Sequence, residues 1–147
     1  MSTTADPKML GARSKSGEGS TNALRNVAEL GGRALLAALF LLSGVGKIGA
    51  YTATAGYLAA AGLPTALLPV VIATEVVGAI AIVAGRQTRV TAFLLAGFTL
   101  LSALIYHNDF GDQVQLIMFL KNVSIAGGFL LLVANGAGRF SVDGRAR

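Results

Sequence analysis

Residues 113–132 read QVQLIMFLKNVSIAGGFLLL, and this apolar stretch decides the fold. A helix of this length, at about 1.5 Å per residue, is long enough to cross the hydrocarbon core of a bilayer. Lys121 and Asn122 lie side by side near its middle. A cation at that depth is costly unless a partner or a polar cavity receives it. The stretch therefore predicts a membrane-spanning helix whose polar side chains face the inside of a bundle.

The composition agrees with a membrane protein. Of the 147 residues, 54% are hydrophobic and 13% are charged, and the mean hydropathy is +0.67. Soluble domains carry about 25% charged residues. The net charge of +5 comes from basic residues in the two tails and in one short connection, so nucleic-acid binding is not expected. The sequence has no cysteine, which excludes thiol exchange and cysteine-ligated metal sites.

Four apolar runs predict an all-α, polytopic membrane protein with a four-transmembrane-helix bundle. The predicted spans are about 30–48, 64–84, 90–106 and 113–134, within one domain of residues 30–135. Residues 49–62 are predicted to form a surface loop with a short interfacial helix at about 53–61. Residues 1–29 are rich in glycine, serine, threonine and charge, and are predicted to be a flexible N-terminal tail. Residues 136–147 are predicted to be a short C-terminal tail.

The distribution of lysine and arginine predicts the orientation. Basic residues occur in the N-terminal tail, at Arg86 and Arg89 in the second connection, and in the C-terminal tail. The first connection has only the flanking Lys47, and the third has neither lysine nor arginine. Because cytoplasmic loops are enriched in lysine and arginine, both termini are predicted to be cytoplasmic.

A buried polar cluster is predicted around the last helix. Glu75 is the only acidic residue deep in another apolar run. Counted from the starts of their spans, Glu75 and Lys121 fall within about 3 Å of the same depth, which predicts an ion pair. Asn122, Gln115 and Ser124 lie on the same half of the last helix as Lys121, and complete the candidate ligand-binding cluster.

Two interpretations of this cluster remain open. In the structural one, the Glu75–Lys121 bridge fixes helix register and Asn122 satisfies nearby backbone groups. In the functional one, a ligand, a proton path or a cofactor head group lies at the cluster. No catalytic residue is assigned under either interpretation.

The first span has one stripe that is predicted to face the bundle. Arg33, Phe40, Gly44 and Lys47 lie on it, with Ser43 at its margin.

An outer mouth to the cluster is predicted from the ends of the spans. Its residues are Lys47, Tyr51, Tyr106 and His107. His107 is followed by Asp109 and Asp112 on the same turn, but three candidate ligands on one turn are a weak basis for a metal site. No metal is therefore predicted.

Several motifs resemble the DoxX family of small bacterial inner-membrane proteins. The resemblance runs from Leu30 to about Ala134, and its most specific element is Phe119-Leu120-Lys121-Asn122 followed by Gly127-Gly128. The other matching positions are, in chain order, Arg33, Leu36, Phe40-Leu41, Gly44, Lys47, Glu75-x-x-Gly78, Gly85 and His107-x-x-Phe110.

The resemblance implies a four-helix bundle in the bacterial cytoplasmic (inner) membrane and a redox context. Members are associated with respiratory or sulfur oxidation, quinone-linked chemistry and oxidative-stress complexes with thiol enzymes. The resulting hypothesis is an accessory subunit of a membrane redox system, with a quinone or similar lipid-soluble ligand beside Glu75, Lys121 and Asn122. Lys121 would stabilise partial negative charge, Asn122 would form a hydrogen bond, and Glu75 would balance Lys121 or carry protons.

Other functions remain open at this stage. One alternative is a carrier of a small solute or lipid, and another is a structural membrane anchor for a partner enzyme. The expected partners are the bilayer, a membrane or redox protein, and further copies of the chain in a homo-oligomer.

Overall fold

The chain forms an all-helical bundle. The computed structural model describes the backbone of residues 7–145 and the side chains of residues 21–145. Within that part there is no strand, and the helices are α1 Pro7–Gly49, α2 Tyr51–Ala60, a 3₁₀ helix Thr65–Leu67, α3 Leu68–Ala84, α4 Thr88–Tyr106, α5 Gln113–Asn135 and α6 Val142–Arg145. Four described segments are long and apolar enough to cross a membrane, namely Thr21–Gly49, Thr65–Ala84, Thr88–Tyr106 and Gln113–Asn135. The prediction of an all-α fold with four spans is confirmed.

Local sequence explains where the helices begin and end. Pro69 lies in the first turn of α3, where its missing N–H costs no helical hydrogen bond, so it starts this helix rather than bending it. Gly85 ends α3 in the left-handed conformation, with φ of 67°. Asp112 begins α5, because its carboxylate accepts a 2.8 Å hydrogen bond from the backbone N–H of Gln115.

The four spans pack mainly as consecutive neighbours. α1 lies along α3, α3 packs against α4, and α4 lies along α5. The bundle closes through an edge-to-face contact between Phe40 of α1 and Phe129 of α5, whose ring centroids are 5.3 Å apart. Small residues permit the close approaches: a Cβ at Gly78 would lie 2.9 Å from a methyl of Leu95. Gly78 therefore lets α3 pack closely on α4.

The N-terminal region differs from its prediction as a flexible tail. α1 already begins at Pro7, so residues 7–29 are helical and continuous with the first span. Leu24 and Val27 maintain helical spacing before Leu30, and Arg25 pairs with Glu29 one turn later at 3.0 Å. Glycine and serine lower helix propensity here but do not end the helix. The rest of the predicted tail, residues 1–6, lies outside the described residues.

The C-terminal region was predicted only as a short tail, and its residues 136–145 dock onto one end of the bundle. Ala137 and Ser141 are buried. The Asp143 carboxylate accepts hydrogen bonds from the backbone N–H of Gln87 and of Thr88, both at 2.8 Å, and from the Thr88 hydroxyl at 2.9 Å. These bonds cap α4 and hold Gln87 at a φ of 47°, which is uncommon for a residue other than glycine.

A buried arginine joins this segment to the first span. Arg33 is fully buried, as its place on the bundle-facing stripe predicted, and its guanidinium donates a hydrogen bond to the carbonyl of Phe140. Gly85 leaves room for the contact, because a Cβ there would collide with the Arg33 guanidinium and with Ser141. Residues 146–147 lie outside the described part.

Candidate ligand site

A cavity of about 410 Å³ lies among the four spans, toward the end that carries His107 and the short helix α2. One part of its wall is apolar and includes Leu39, Phe40, Leu58, Leu67, Val71, Phe98 and Ile105. The polar part includes Ser43, Lys47, Glu75, Thr99, Ser102, Tyr106, His107, Lys121 and Asn122. An apolar wall with a few convergent polar groups is the usual construction of a small-molecule site.

Lys47 and Glu75 form the principal ion pair of this cavity. The Lys47 ammonium lies 2.8 Å from one carboxylate oxygen of Glu75 and 2.9 Å from the other. It also donates to the Ser43 hydroxyl at 2.6 Å, and that hydroxyl donates to Glu75 at 3.2 Å. Glu75 is only 5% exposed, so its charge is compensated by a partner within the protein.

Gly44 explains how α1 and α3 approach closely enough for this pair. A Cβ at Gly44 would lie 2.6 Å from a γ-methyl of Val76 and 3.2 Å from the Cβ of Glu75. Ser43 and Lys47 are four residues apart on one helix, so their side chains reach Glu75 together. The Lys47–Glu75 pair therefore follows from close backbone packing of α1 on α3.

The predicted Glu75–Lys121 pair is wrong. Lys121 is exposed, and its ammonium contacts the thioether sulfur of Met118 at 3.2 Å rather than Glu75. The physical reason is the helix order: α5 packs chiefly on α4, whereas Glu75 belongs to α3, which packs along α1. Lys121 nevertheless lines the same cavity as Glu75.

The other predicted members of the cluster do not lie together: Asn122 lines the cavity, whereas Gln115 and Ser124 do not. Asn122 lines the cavity and donates to the backbone carbonyl of Met118 at 3.0 Å. The Gln115 side chain contacts the His107 ring at 2.8 Å but is not part of the cavity wall. The hydroxyl of Ser124 is exposed and donates to the carbonyl of Leu120 at 2.9 Å, so Ser124 does not belong to the site.

The predicted outer mouth is partly assembled. Lys47, Tyr106 and His107 line the cavity, whereas Tyr51 is 45% exposed and lies outside its wall. Tyr57 of α2, which the sequence argument missed, stacks on Tyr106 with ring centroids 4.8 Å apart and also lines the cavity. The sequence did contain a signal for Tyr57, because the short helix predicted at about 53–61 includes this residue and connects the first two spans. Among residues 21–145, no three His, Asp or Glu side chains converge to hold a metal ion.

The sequence analysis did not assign Thr99 and Ser102 of α4, or Ser43 of α1, to the site. Thr99 and Ser102 line the cavity, and the Thr99 hydroxyl donates to the carbonyl of Leu95 at 2.6 Å. Ser43 was placed only at the margin of the α1 stripe. Its spacing of four residues from Lys47 was the available signal for a shared contact.

Comparisons with known proteins agree with this architecture. The family model described as DoxX matches residues 28–108. Inner membrane protein YqjF of Escherichia coli (strain K12) is 46% identical over 120 residues, which cover 82% of this chain and 92% of that protein. Inner membrane protein YphA of the same organism is 41% identical over 130 residues, covering 84% and 93%. No solved structure matches.

The resemblance, the family match and the four apolar helices lead to one assignment. The relatives are inner membrane proteins, and the described part of this chain has four helices suited to crossing a bilayer. The protein is a multi-pass inner membrane protein that belongs to the DoxX family.

Proposed function

We propose that the protein binds a lipid-soluble small molecule whose polar head enters the cavity between α1, α3, α4 and α5. One observation carries the proposal: Lys121 lines the cavity, and no carboxylate among residues 21–145 contacts its ammonium group. A thioether is a weak hydrogen-bond acceptor and leaves this positive charge uncompensated. A ligand oxygen would compensate it.

The remaining charges of the cavity support this role for Lys121. Lys47 and Glu75 already neutralise each other, so neither requires a ligand. Asn122 follows Lys121 on α5 and lines the same wall, and its side-chain NH₂ group has a second N–H donor besides the one that bonds the Met118 carbonyl. A ligand head that accepts hydrogen bonds therefore fits the α5 side of the cavity better than the α1 side.

A quinone is the ligand class that we propose. Its carbonyl oxygens accept hydrogen bonds, and an ammonium beside them would stabilise the negative charge that develops on reduction. The apolar wall, with Phe40 and Phe98, would hold the ring and the start of the tail. The protein would then act as an accessory or subunit of a membrane redox system, and Glu75 would balance Lys47 rather than Lys121.

The amount of quinone that co-purifies with the protein tests this proposal. Wild type, purified from native membranes in mild detergent, is expected to retain quinone that mass spectrometry detects after solvent extraction. Lys121→Met keeps the length of the side chain but removes the charge, and should lower the retained quinone about tenfold. Ser124→Ala lies one turn further along α5, outside the cavity wall, and should retain the wild-type amount.

Other outcomes would reject the proposal. Equal amounts of retained quinone in wild type and Lys121→Met would show that Lys121 does not bind the quinone. A purified protein without quinone that retains a partner enzyme would favour the anchoring function. Movement of a small solute or lipid across vesicles that depends on the cavity residues would favour the carrier.

We also propose that both termini face the cytoplasm. The end of the bundle that holds the C-terminal segment has an excess of arginine over acidic residues, with Arg86, Arg89 and Arg139 among them. Because the sequence has no cysteine, single cysteines can report accessibility. In intact spheroplasts, an impermeant maleimide should label Asn108→Cys, and should label Asn22→Cys only after permeabilisation. The reverse pattern would invert the orientation.

A further inference from the structure

A second cleft, of about 760 Å³, lies at the end of the bundle opposite the His107 end. Its wall combines the N-terminal part of α1, the start of α4, the end of α5 and the C-terminal segment. Arg25, Arg89 and Arg139 line it, and Asp143 is the single acidic residue in its wall. The cleft shares no residue with the ligand cavity.

The acidic residue in this wall is already engaged. Both oxygens of Asp143 accept hydrogen bonds from the start of α4, at Gln87 and Thr88. Asp143 and Glu29, which pairs with Arg25 beside the cleft, supply two negative charges against three arginines, so an excess of positive charge remains. An anion that entered the cleft would meet this excess directly.

The arginines retain most of their hydrogen-bonding capacity. Arg25 donates from Nε to Glu29 at 3.0 Å, and Arg89 donates from one Nη to the carbonyl of Ala134 at 3.3 Å. Arg139 forms no hydrogen bond or ion pair with a described residue. A guanidinium has five N–H donors in a planar fork, which matches the oxygens of a phosphate group. Unused donors of three guanidinium groups therefore remain in one cleft.

The position of the cleft favours a phospholipid as the source of the phosphate. α4 begins and α5 ends beside it, so it lies where two membrane spans meet the head-group layer. Val90 is part of the cleft wall, and Phe93 and Leu94 follow on α4 as exposed side chains that acyl chains would cover. Basic pockets at the ends of membrane helices are suited to anionic lipid head groups.

We propose that Arg25, Arg89 and Arg139 form a binding site for the phosphate of an anionic phospholipid. The lipid would bridge α1, α4 and the C-terminal segment at the membrane surface. Its acyl chains would extend along the exposed face of α4, while the phosphate accepts hydrogen bonds from the guanidinium groups. This site is independent of the proposed quinone site.

Lipid binding to the full-length protein in detergent tests the site, with native mass spectrometry as the readout. The probes are phosphatidylglycerol and phosphatidylcholine. Wild type is expected to bind phosphatidylglycerol at least about tenfold more tightly than phosphatidylcholine, and Arg89→Gln should lose most of this preference. Arg86→Gln is the matched control, because Arg86 is exposed in the same connection but is absent from the cleft wall. It should bind phosphatidylglycerol within about twofold of wild type.

A second variant tests whether lipid binding can be weakened without a loss of protein stability. Arg139 forms no side-chain hydrogen bond or ion pair with residues 21–145, so Arg139→Gln should keep the wild-type melting temperature and still weaken phosphatidylglycerol binding. Equal affinity of wild type for the two lipids, or an equal loss in Arg86→Gln and Arg89→Gln, would overturn the proposal. Displacement of phosphatidylglycerol by an equal concentration of inorganic phosphate would assign the cleft to free phosphate and overturn the lipid assignment.

Discussion

Lys47→Met should destabilise the bundle by about 3–5 kcal/mol, because it leaves the buried Glu75 carboxylate without its cation. Glu75 is 5% exposed, and both of its oxygens accept hydrogen bonds from the Lys47 ammonium. Methionine fills a similar volume, so the loss reports the charge rather than a cavity. Reversible unfolding in mixed detergent micelles, followed by circular dichroism, measures the free energy.

A double-mutant cycle separates the ion pair from the two side chains that form it. Glu75→Gln in the Lys47→Met background removes the unpaired charge and should restore much of the lost stability. The coupling free energy is expected to be at least about 1 kcal/mol. Lys121→Met should change the stability little, because Lys121 contacts only a thioether. Additive losses in the cycle, or a larger loss in Lys121→Met than in Lys47→Met, would contradict this account of the site.

The number of spans could be predicted from the sequence because it depends on local properties. Length and hydropathy alone decide whether a segment can cross a bilayer, and these properties can be read within each segment. The short helix between the first two spans was expected at about 53–61 and lies at Tyr51–Ala60.

The ion pair could not be predicted from depth because depth along the membrane does not identify neighbouring helices. Glu75 and Lys121 were matched by counting residues from the starts of two spans. The side chain of Lys47 extends along α1, so its ammonium reaches a carboxylate deeper in the bundle. The relevant signal was present on α1 itself, where Ser43, Gly44 and Lys47 share one region of the surface facing α3.

The C-terminal segment shows a second limit of local patterns. Its composition of glycine, arginine and serine is typical of an exposed tail. Asp143 nevertheless caps α4 through Thr88, 55 residues earlier in the chain, and Phe140 accepts a hydrogen bond from Arg33, 107 residues earlier. Contacts of this kind depend on the assembled bundle, because none of the partners is near in sequence.

Gly44→Val should destabilise the bundle by about 2–3 kcal/mol through overpacking between α1 and α3. The first added carbon would lie 2.6 Å from a γ-methyl of Val76 and 3.2 Å from the Cβ of Glu75. Two further methyl groups would add to the collision, so the helices must separate locally. Gly46→Val is the matched control, because a Cβ at Gly46 meets nothing within 4 Å. The same unfolding measurement should find Gly46→Val within about 0.5 kcal/mol of wild type.

The effect of Gly44→Val on the ion pair is the more specific result. Gly44 lies three residues before Lys47 on the same face of α1, so a wider separation from α3 at Gly44 moves the ammonium away from Glu75. The Lys47–Glu75 coupling free energy, measured again in the Gly44→Val background, should therefore fall below its wild-type value. An unchanged coupling would mean that the long lysine side chain, rather than the close approach of the two helices, sets the geometry of the pair. Equal destabilisation by Gly44→Val and Gly46→Val would instead mean that the loss does not come from the contact between α1 and α3 at Gly44.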